Sequence, residues 1–125
     1  MEDIKFAVVG CGNIGKRHIA VIDAQDRAEL VAICDINEKV CQELSSQYSN
    51  VPYFINYEEM IKSTDADIIS IATPHGLHAE MTITSARAGK NILVEKPMAL
   101  TVSDCQRMNN EAKINNVKLM VVKQN

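Results

Sequence analysis

The sequence has no tryptophan, and aromatic residues make up only 4% of its 125 residues. It contains no apolar run near the roughly 20 residues that a membrane-spanning helix needs, and its acidic start, MEDIKFAVVGCG, does not resemble a secretory signal. The net charge of −3 leaves no basic excess for a nucleic-acid surface. We therefore expect a cytoplasmic protein with neither a membrane nor a nucleic acid as its partner.

A C-x-x-C spacing is also absent, although the chain contains four cysteines. In a chain without an export signal, such cysteines are expected to be reduced core thiols rather than a disulfide framework. His75 and His78 have a spacing that could suit a metal, but no third ligand stands at a plausible distance, so no metal site is expected. The four cysteines are Cys11, Cys34, Cys41 and Cys105.

Apolar stretches of strand length alternate with segments of helical period, which is typical of a parallel sheet with crossover helices. Runs such as FAVV, VAIC, IISIA and NILV are almost continuously apolar, as expected when helices cover both faces of a strand. The sequence predicts one α/β domain over residues 1–125, a doubly wound parallel sheet of about six strands with helices on both faces. The predicted strands are Ile4–Val9, Leu30–Cys34, Tyr53–Ile55, Asp67–Ala72, Asn91–Glu95 and Lys118–Val122.

Helical segments are predicted between these strands, at Asn37–Tyr48 and Gly76–Ala88 among others. Asn56 stands three residues before Glu59 in NYEEMI, close to a capping box, and Thr101 is placed to cap the helix in LTVSDCQRMNNEAK. The apolar stripes of these helices indicate core packing.

Of only five glycines, three fall within six positions directly after the first strand. Strand, G-x-G-x-x-G and helix form the pattern of a dinucleotide-binding turn. Gly10 permits the tight turn, Gly12 leaves room for the phosphates to approach the backbone, and Gly15 lets the helix pack closely on the strand. The helix begins near Asn13 and Ile14, where unpaired N–H groups and a partial positive charge face the anion. The pattern predicts a pyrophosphate site; the alternative is a close-packed turn without a ligand.

Asp35 ends the second strand about 20 residues after the glycines, where an acid can accept hydrogen bonds from the adenosine ribose. Its charge would repel a 2′-phosphate, which favours NAD over NADP, although Lys39 one turn later keeps NADP as the less favoured alternative. Asp35 could instead cap the next helix. Arg17 could reach a phosphate or lie in solvent, and His18 falls on the apolar stripe of the first helix, which indicates a packed side chain.

Two further motifs, ATPHGLHAE and EKP, follow later strands of the sheet. In an open parallel sheet, ligands bind beyond the carboxyl ends of the strands. A proline just past each strand restrains the preceding residue, so Thr73 and Lys96 are expected to be held at the edge that a cofactor would cross.

Taken in order, VVGCGNIG, Asp35, ATPHGLH, VEKP and VVKQN resemble the N-terminal domain of the Gfo/Idh/MocA (glucose–fructose oxidoreductase/inositol dehydrogenase) family, over essentially the whole chain. The resemblance implies an NAD(P)-dependent dehydrogenase that transfers a hydride between the nicotinamide and a secondary alcohol of a sugar, nucleotide sugar or cyclitol. The GKRH and KQN variants are most similar to the nucleotide-sugar 3-dehydrogenases of the family.

The resemblance also implies roles for individual residues. Thr73, Pro74 and the loop from His75 to His78 would line the cofactor near its nicotinamide half. Glu95 and Lys96 would lie by the nicotinamide ribose, with Lys96 reaching the reacting carbon of the substrate, and Gln124 would approach the nicotinamide from the other side.

Members of this family carry a second domain, which supplies most of the substrate pocket and forms homo-oligomers. That domain is absent from this chain, so we expect the 125 residues alone to be inactive. Alcohol oxidation needs a base within about 2.6–3.2 Å of the hydroxyl oxygen; Lys96 is either that base, a residue that orients one, or an anchor for a ribose hydroxyl. Two alternatives to a dehydrogenase domain are a non-catalytic dinucleotide-binding sensor module and a methyltransferase, which also uses a glycine-rich first turn.

Overall fold

The computed structural model describes residues 3–122, which form a six-stranded parallel sheet in the order β3-β2-β1-β4-β5-β6. The order and the alternation of strands and helices confirm the predicted doubly wound α/β fold. The strands are β1 (Ile4–Val9), β2 (Ala28–Cys34), β3 (Tyr53–Phe54), β4 (Ile68–Ile71), β5 (Asn91–Glu95) and β6 (Leu119–Val122). The helices are α1 (Asn13–Asp23), α2 (Glu38–Gln47), α3 (Tyr57–Ser63), α4 (His78–Arg87) and α5 (Val102–Ile114), with a short 3₁₀ helix at His75–Leu77.

Two hydrophobic clusters lie on opposite faces of the sheet. On one face, Ile19 of α1 and Leu44 of α2 pack near Val8 and Ile33. On the other face, α3, α4 and α5 contribute Met60, Ala79, Ala86 and Met108 to a cluster with the central strands. The near-continuous apolar runs predicted this arrangement, because a strand covered on both faces has no solvent side.

Several helices begin at a polar side chain that accepts a hydrogen bond from the helix backbone. Asn56 accepts from the amide of Glu59 at 3.0 Å, and Thr101 accepts from the amide of Asp104 at 3.0 Å, as the sequence predicts. Asn37 does the same for α2. These caps satisfy amides that otherwise have no partner within their helix.

Several element boundaries differ from the predicted ones by one or two residues, those of β2, β3 and α4 among them. β2 starts at Ala28, two residues early, and β3 is only Tyr53–Phe54. α4 starts at His78, because the residues after Pro74 first form the 3₁₀ turn, in which the amide of Leu77 donates to the carbonyl of Pro74 at 2.9 Å.

Within the described residues all four cysteines are free thiols, and three of them are buried. Burial raises the pKa of both Cys11 and Cys34 to about 12. A thiol with such a pKa is almost entirely protonated near neutral pH and is therefore a poor nucleophile. The interpretation as core residues is confirmed for Cys11, Cys34 and Cys41, whereas Cys105 is only partly buried. In residues 3–122 no helix combines the length and the apolar character needed to cross a bilayer.

The strand order reverses direction between β1 and β4, which are neighbours although two strands separate them in sequence. Because every strand is parallel, the carboxyl ends of β1, β2, β4 and β5 meet at one edge of the sheet. Ligands bind at such a reversal point in doubly wound sheets. The same edge carries the glycine turn, Asp35, the Thr73 loop and Lys96.

Candidate cofactor site at the carboxyl edge of the sheet

Backbone packing requires two of the three glycines in the turn. Gly10 has φ +90°, and a Cβ at this position would lie 2.7 Å from the backbone of Ala72 and Thr73. A Cβ on Gly15 would lie 1.7 Å from the carbonyl oxygen of Gly10. The tight turn and the close approach of helix to strand are therefore present as the sequence predicts.

Gly12 differs from its two neighbours, because a Cβ built on it meets no described atom within 4 Å. Its φ of −76° is accessible to any residue. Nothing in the described fold therefore demands a glycine here, whereas a ligand seated on the turn would. This is the observation expected if the space beside Gly12 receives a phosphate.

The N-terminus of α1 is open. Within residues 3–122, its N-cap residue, Gly12, provides no side-chain hydrogen bond, and its first turn holds no acid. The amide of Lys16 donates to the carbonyl of Gly12 at 2.9 Å and begins the helix ladder, so the amides of Asn13, Ile14 and Gly15 precede the first helical hydrogen bond. These donors and the helix dipole together suit an anion.

Asp35 lies beside this turn and is held by two backbone amides. Its Oδ2 accepts from the amide of Cys11 at 2.7 Å, and its Oδ1 accepts from the amide of Asn37 at 2.9 Å. The alternative role as a helix cap is wrong, because the side chain that caps α2 belongs to Asn37. Each carboxylate oxygen can accept a further hydrogen bond, so the half-buried Asp35 can still receive the hydroxyls of a ribose.

The Thr73 loop lies against the glycine turn, since Gly10 packs directly on Ala72 and Thr73. The Thr73 hydroxyl lies 3.3 Å from the sulfur of Met81, and Pro74 is exposed. His75 belongs to the 3₁₀ turn that follows.

His78 requires a correction. The resemblance implies that it lines the cofactor, but its ring is fully buried. Its Nε2 lies 2.9 Å from the carbonyl oxygen of Thr73, and its Nδ1 lies 3.2 Å from those of Pro97 and Met98. His78 thus joins the loop after β4 to the loop after β5 and supports the site from behind.

Glu95 requires a similar correction. Its side chain is turned beneath α1, where its Oε1 forms a short hydrogen bond with Nε2 of His18, and the residue is only 4% exposed. The next residue, Lys96, is exposed at the edge of the sheet, and its amide donates to the carbonyl of Val122 at 3.2 Å. Of this pair, Lys96 is the one available to a ligand. Gln124 lies outside the described residues.

The family model described as an oxidoreductase family with an NAD-binding Rossmann fold, Gfo/Idh/MocA, matches residues 4–123. The chain belongs to this family. The assignment removes the methyltransferase alternative and confirms the resemblance drawn from the motifs.

Known members of the Gfo/Idh/MocA family align along nearly the whole chain. The WlbA dehydrogenase of Bordetella pertussis, solved in complex with NADH and UDP-GlcNAcA, is 39% identical, with a TM-score of 0.92 over 97% of this chain and 35% of its own. An inositol 2-dehydrogenase of Salmonella paratyphi B is 32% identical over 94% of this chain and 35% of its own length. The myo-inositol 2-dehydrogenase structure from Lactobacillus plantarum is 27% identical, with a TM-score of 0.90 over 97% of this chain and 36% of its own. The chain thus spans about a third of the length of these relatives.

The Gfo/Idh/MocA fold therefore brings the glycine turn, Asp35, Thr73 and Lys96 to one edge, and it turns His78 and Glu95 inward. Sequence reasoning missed two features. The first is the contact of His18 with Glu95, which a histidine on the inner stripe of α1 and an acid ending a buried strand could have suggested. The second is Ile36, which is 93% exposed beside Asp35; an aliphatic residue in the otherwise polar segment DINE was the only signal.

Proposed function

We propose that this chain binds NAD(H) and is the dinucleotide-binding domain of a dehydrogenase acting on a secondary alcohol of a sugar, nucleotide sugar or cyclitol. When bound, the nicotinamide supplies the hydride acceptor or donor. The observation that carries the proposal is the open N-terminus of α1, with free space beside Gly12 and a carboxylate fixed at the neighbouring strand end.

The first-turn amides of Asn13, Ile14 and Gly15 would bind the pyrophosphate. Asp35 would accept hydrogen bonds from the adenosine ribose, and the exposed aliphatic side chain of Ile36 offers an apolar surface to the adenine. Ligand sites are lined mainly by apolar side chains beside a few polar groups that fix the orientation of the ligand.

The proposed cofactor is NAD rather than NADP. The Asp35 carboxylate would face the 2′ position, where a phosphate would bring two negative groups together. Lys39 is exposed on α2. It is the basic residue nearest to Asp35 in sequence, and its charge could offset this repulsion.

Lys96 is the proposed catalytic residue of the full-length protein. It is exposed where β5 ends; its neutral amine could accept the proton of the substrate hydroxyl, and its ammonium form could donate a hydrogen bond to a hydroxyl of the nicotinamide ribose. A Lys96→Met variant of the full-length protein separates these roles. A proton-transfer role predicts a loss of turnover by orders of magnitude with NAD affinity nearly intact, whereas a ribose anchor predicts lost affinity.

The coverage of the relatives supports a second domain that completes the substrate pocket. The proposed substrate class is a nucleotide sugar, which is favoured over a cyclitol by the higher identity to the Bordetella pertussis structure. A homo-oligomeric full-length protein and a cytoplasmic location also remain proposals, the second supported by the free thiols.

Calorimetry with NADH, NADPH and S-adenosylmethionine tests the cofactor proposal on the chain itself. We expect binding of NADH, weaker binding of NADPH and none of S-adenosylmethionine. The matched variant is Gly12→Ala, whose added methyl group meets no described protein atom but would meet the phosphates. Overpacking typically costs about 1–3 kcal/mol, so NADH affinity should fall about tenfold or more. No heat with saturating NADH, or unchanged affinity in the alanine variant, would contradict the proposal.

Turnover of the isolated chain is the remaining test. We expect these 125 residues to bind NADH without dehydrogenase activity, because the proposed second domain would supply most of the substrate pocket. Measured activity would refute the need for a second domain. A full-length protein that binds NADH but oxidises no alcohol would instead favour the sensor module.

A further inference from the structure

A polar network of His18, Ser70 and Glu95 lies in a largely apolar cavity beneath α1. His18 contacts Ser70 of β4 through Nδ1, at 2.5 Å from the Ser70 Oγ, and Glu95 of β5 through Nε2. The cavity has a volume of about 420 Å³ and is walled mainly by apolar residues that include Phe6, Ile14, Val21, Leu93 and Val122. Ser70 is fully buried, and the side chains of His18 and Glu95 are 14% and 6% exposed.

One arrangement of protons satisfies both contacts of the ring. Where the carboxylate only accepts, Nε2 of His18 carries the hydrogen that is donated to Glu95. In the neutral ring Nδ1 is then an acceptor, and the Ser70 hydroxyl donates to it. Both ring nitrogens are thereby used, and a single side chain of α1 connects β4 to β5.

Glu95 is the residue directly before Lys96, which gives the network a consequence at the edge of the sheet. β5 ends at Glu95, and the hydrogen bond from the amide of Lys96 to the carbonyl of Val122 extends its pairing with β6 by one residue. With the Glu95 carboxylate held beneath α1, the path of the chain as it leaves β5 at Lys96 is restrained.

We propose that His18 is a positioning residue for the nicotinamide end of the site, acting through Glu95 on Lys96. This inference rests on the proposed function, because it assumes that Lys96 faces the nicotinamide half of NAD. The role is distinct from that of His78, which contacts the carbonyls of Pro97 and Met98 and so restrains the two residues after Lys96.

The test compares NADH with ADP, which contains the adenosine and the diphosphate but neither the nicotinamide nor its ribose. In His18→Leu we expect the Kd for NADH to rise about tenfold, the order expected for a lost charge-assisted hydrogen bond. The Kd for ADP should stay within about twofold, because the glycine turn and Asp35 are untouched.

Three variants separate positioning from packing. His18→Gln keeps an amide donor for Glu95 and an acceptor for Ser70, so it should restore most of the NADH affinity. Ser70→Ala removes only the far contact and should have a smaller effect than His18→Leu. Val21→Ala removes methyl groups from the same cavity wall without touching the network and should leave both Kd values unchanged.

Equal losses for NADH and ADP, no loss for either, or no rescue by glutamine would overturn the inference. If His18→Leu does not fold, Glu95→Leu takes its place, because it removes the acceptor of the His18 hydrogen bond while keeping a side chain of similar size; the same difference between NADH and ADP is expected.

The ligand-free chain provides a readout that does not depend on cofactor binding. The backbone amide resonance of Lys96 should shift in His18→Leu, return towards its original position in His18→Gln, and stay in place in Val21→Ala. An unmoved Lys96 resonance refutes the positioning role even if NADH binds, whereas failure of the unmodified chain to bind NADH refutes the proposed function alone.

Discussion

The N-termini of α1 and α5 are constructed in opposite ways. α5 begins at Thr101, whose hydroxyl accepts from the amide of Asp104, and Asp104 adds a negative charge to the first turn. In the described residues α1 begins at Gly12, with neither a capping side chain nor a first-turn acid. The end of α5 is satisfied by its own residues, whereas the end of α1 leaves its donors and its dipole for an external anion.

The largest expected effect on stability comes from adding a methyl group at Gly15, where α1 packs against the glycine turn. Gly15→Ala places a Cβ 1.7 Å from the carbonyl oxygen of Gly10, and the backbone must move to relieve the overlap. The free energy of unfolding should fall by about 3 kcal/mol or more, as measured by urea denaturation. The exposed Lys16→Ala on the same helix is the control and should change it by less than about 0.5 kcal/mol. A stable Gly15→Ala would contradict the close packing.

A smaller effect on stability is expected when α1 receives an N-cap side chain, as α5 has in Thr101. Gly12→Asp meets no described atom within 4 Å and adds a side chain of the type preferred at N-caps. The thermal midpoint should rise, since a cap and a charge at the N-terminus together contribute about 1 kcal/mol.

NADH affinity should respond to the same Gly12→Asp change in the opposite direction. The new carboxylate would occupy the phosphate position, and a loss of about 100-fold is expected, equivalent to about 2.7 kcal/mol. Calorimetry and thermal unfolding on one sample measure both effects. Retained affinity would show that the open end of α1 does not receive the anion.

The buried side of the α1 turn can be examined through pH. Burial raises the pKa of the Cys11 thiol from its ordinary value near 9 to about 12, so the folded chain holds this proton more tightly than the unfolded chain does. The stabilisation is complete below about pH 9 and is lost as pH rises towards 12, at about 1.4 kcal/mol per pH unit for one thiol. Cys11→Ala should make the decline of unfolding free energy between pH 9 and 11 correspondingly shallower. An equal slope in both proteins would indicate that the thiol is accessible to water.

The smallest effect is expected at the capped helix. Thr101→Ala should lower the free energy of unfolding by about 1 kcal/mol, since the amide of Asp104 loses its acceptor. NADH affinity should not change. A loss of NADH affinity in this variant would show that the two helix ends are not independent.

The sequence predicts the parts of this molecule that depend on local patterns. β1 and β5 have the predicted limits, and the caps at Asn56 and Thr101 are present, because strand hydrophobicity and capping chemistry act over a few residues. The predicted start of α4 is two residues too early, since the residues after Pro74 form a 3₁₀ turn, with the amide of Leu77 bonded to the carbonyl of Pro74, before the helix begins.

The site was predictable in position but not in side-chain direction. The glycine turn, Asp35 and Lys96 lie at strand ends, and a parallel sheet brings strand ends together. The inward direction of Glu95 depends on His18, 77 positions away in sequence. Spacing within a motif carries no information about such a partner.

The contact between Asp35 and the amide of Cys11 bears on attempts to re-engineer nucleotide preference. The carboxylate oxygen that would select one sugar also anchors the loop beneath the diphosphate. Replacing Asp35 by alanine to admit a 2′-phosphate would therefore leave that amide without its acceptor and weaken every nucleotide at once. Asparagine, which retains one carbonyl oxygen without the charge, is the substitution from which a switch in selectivity should start.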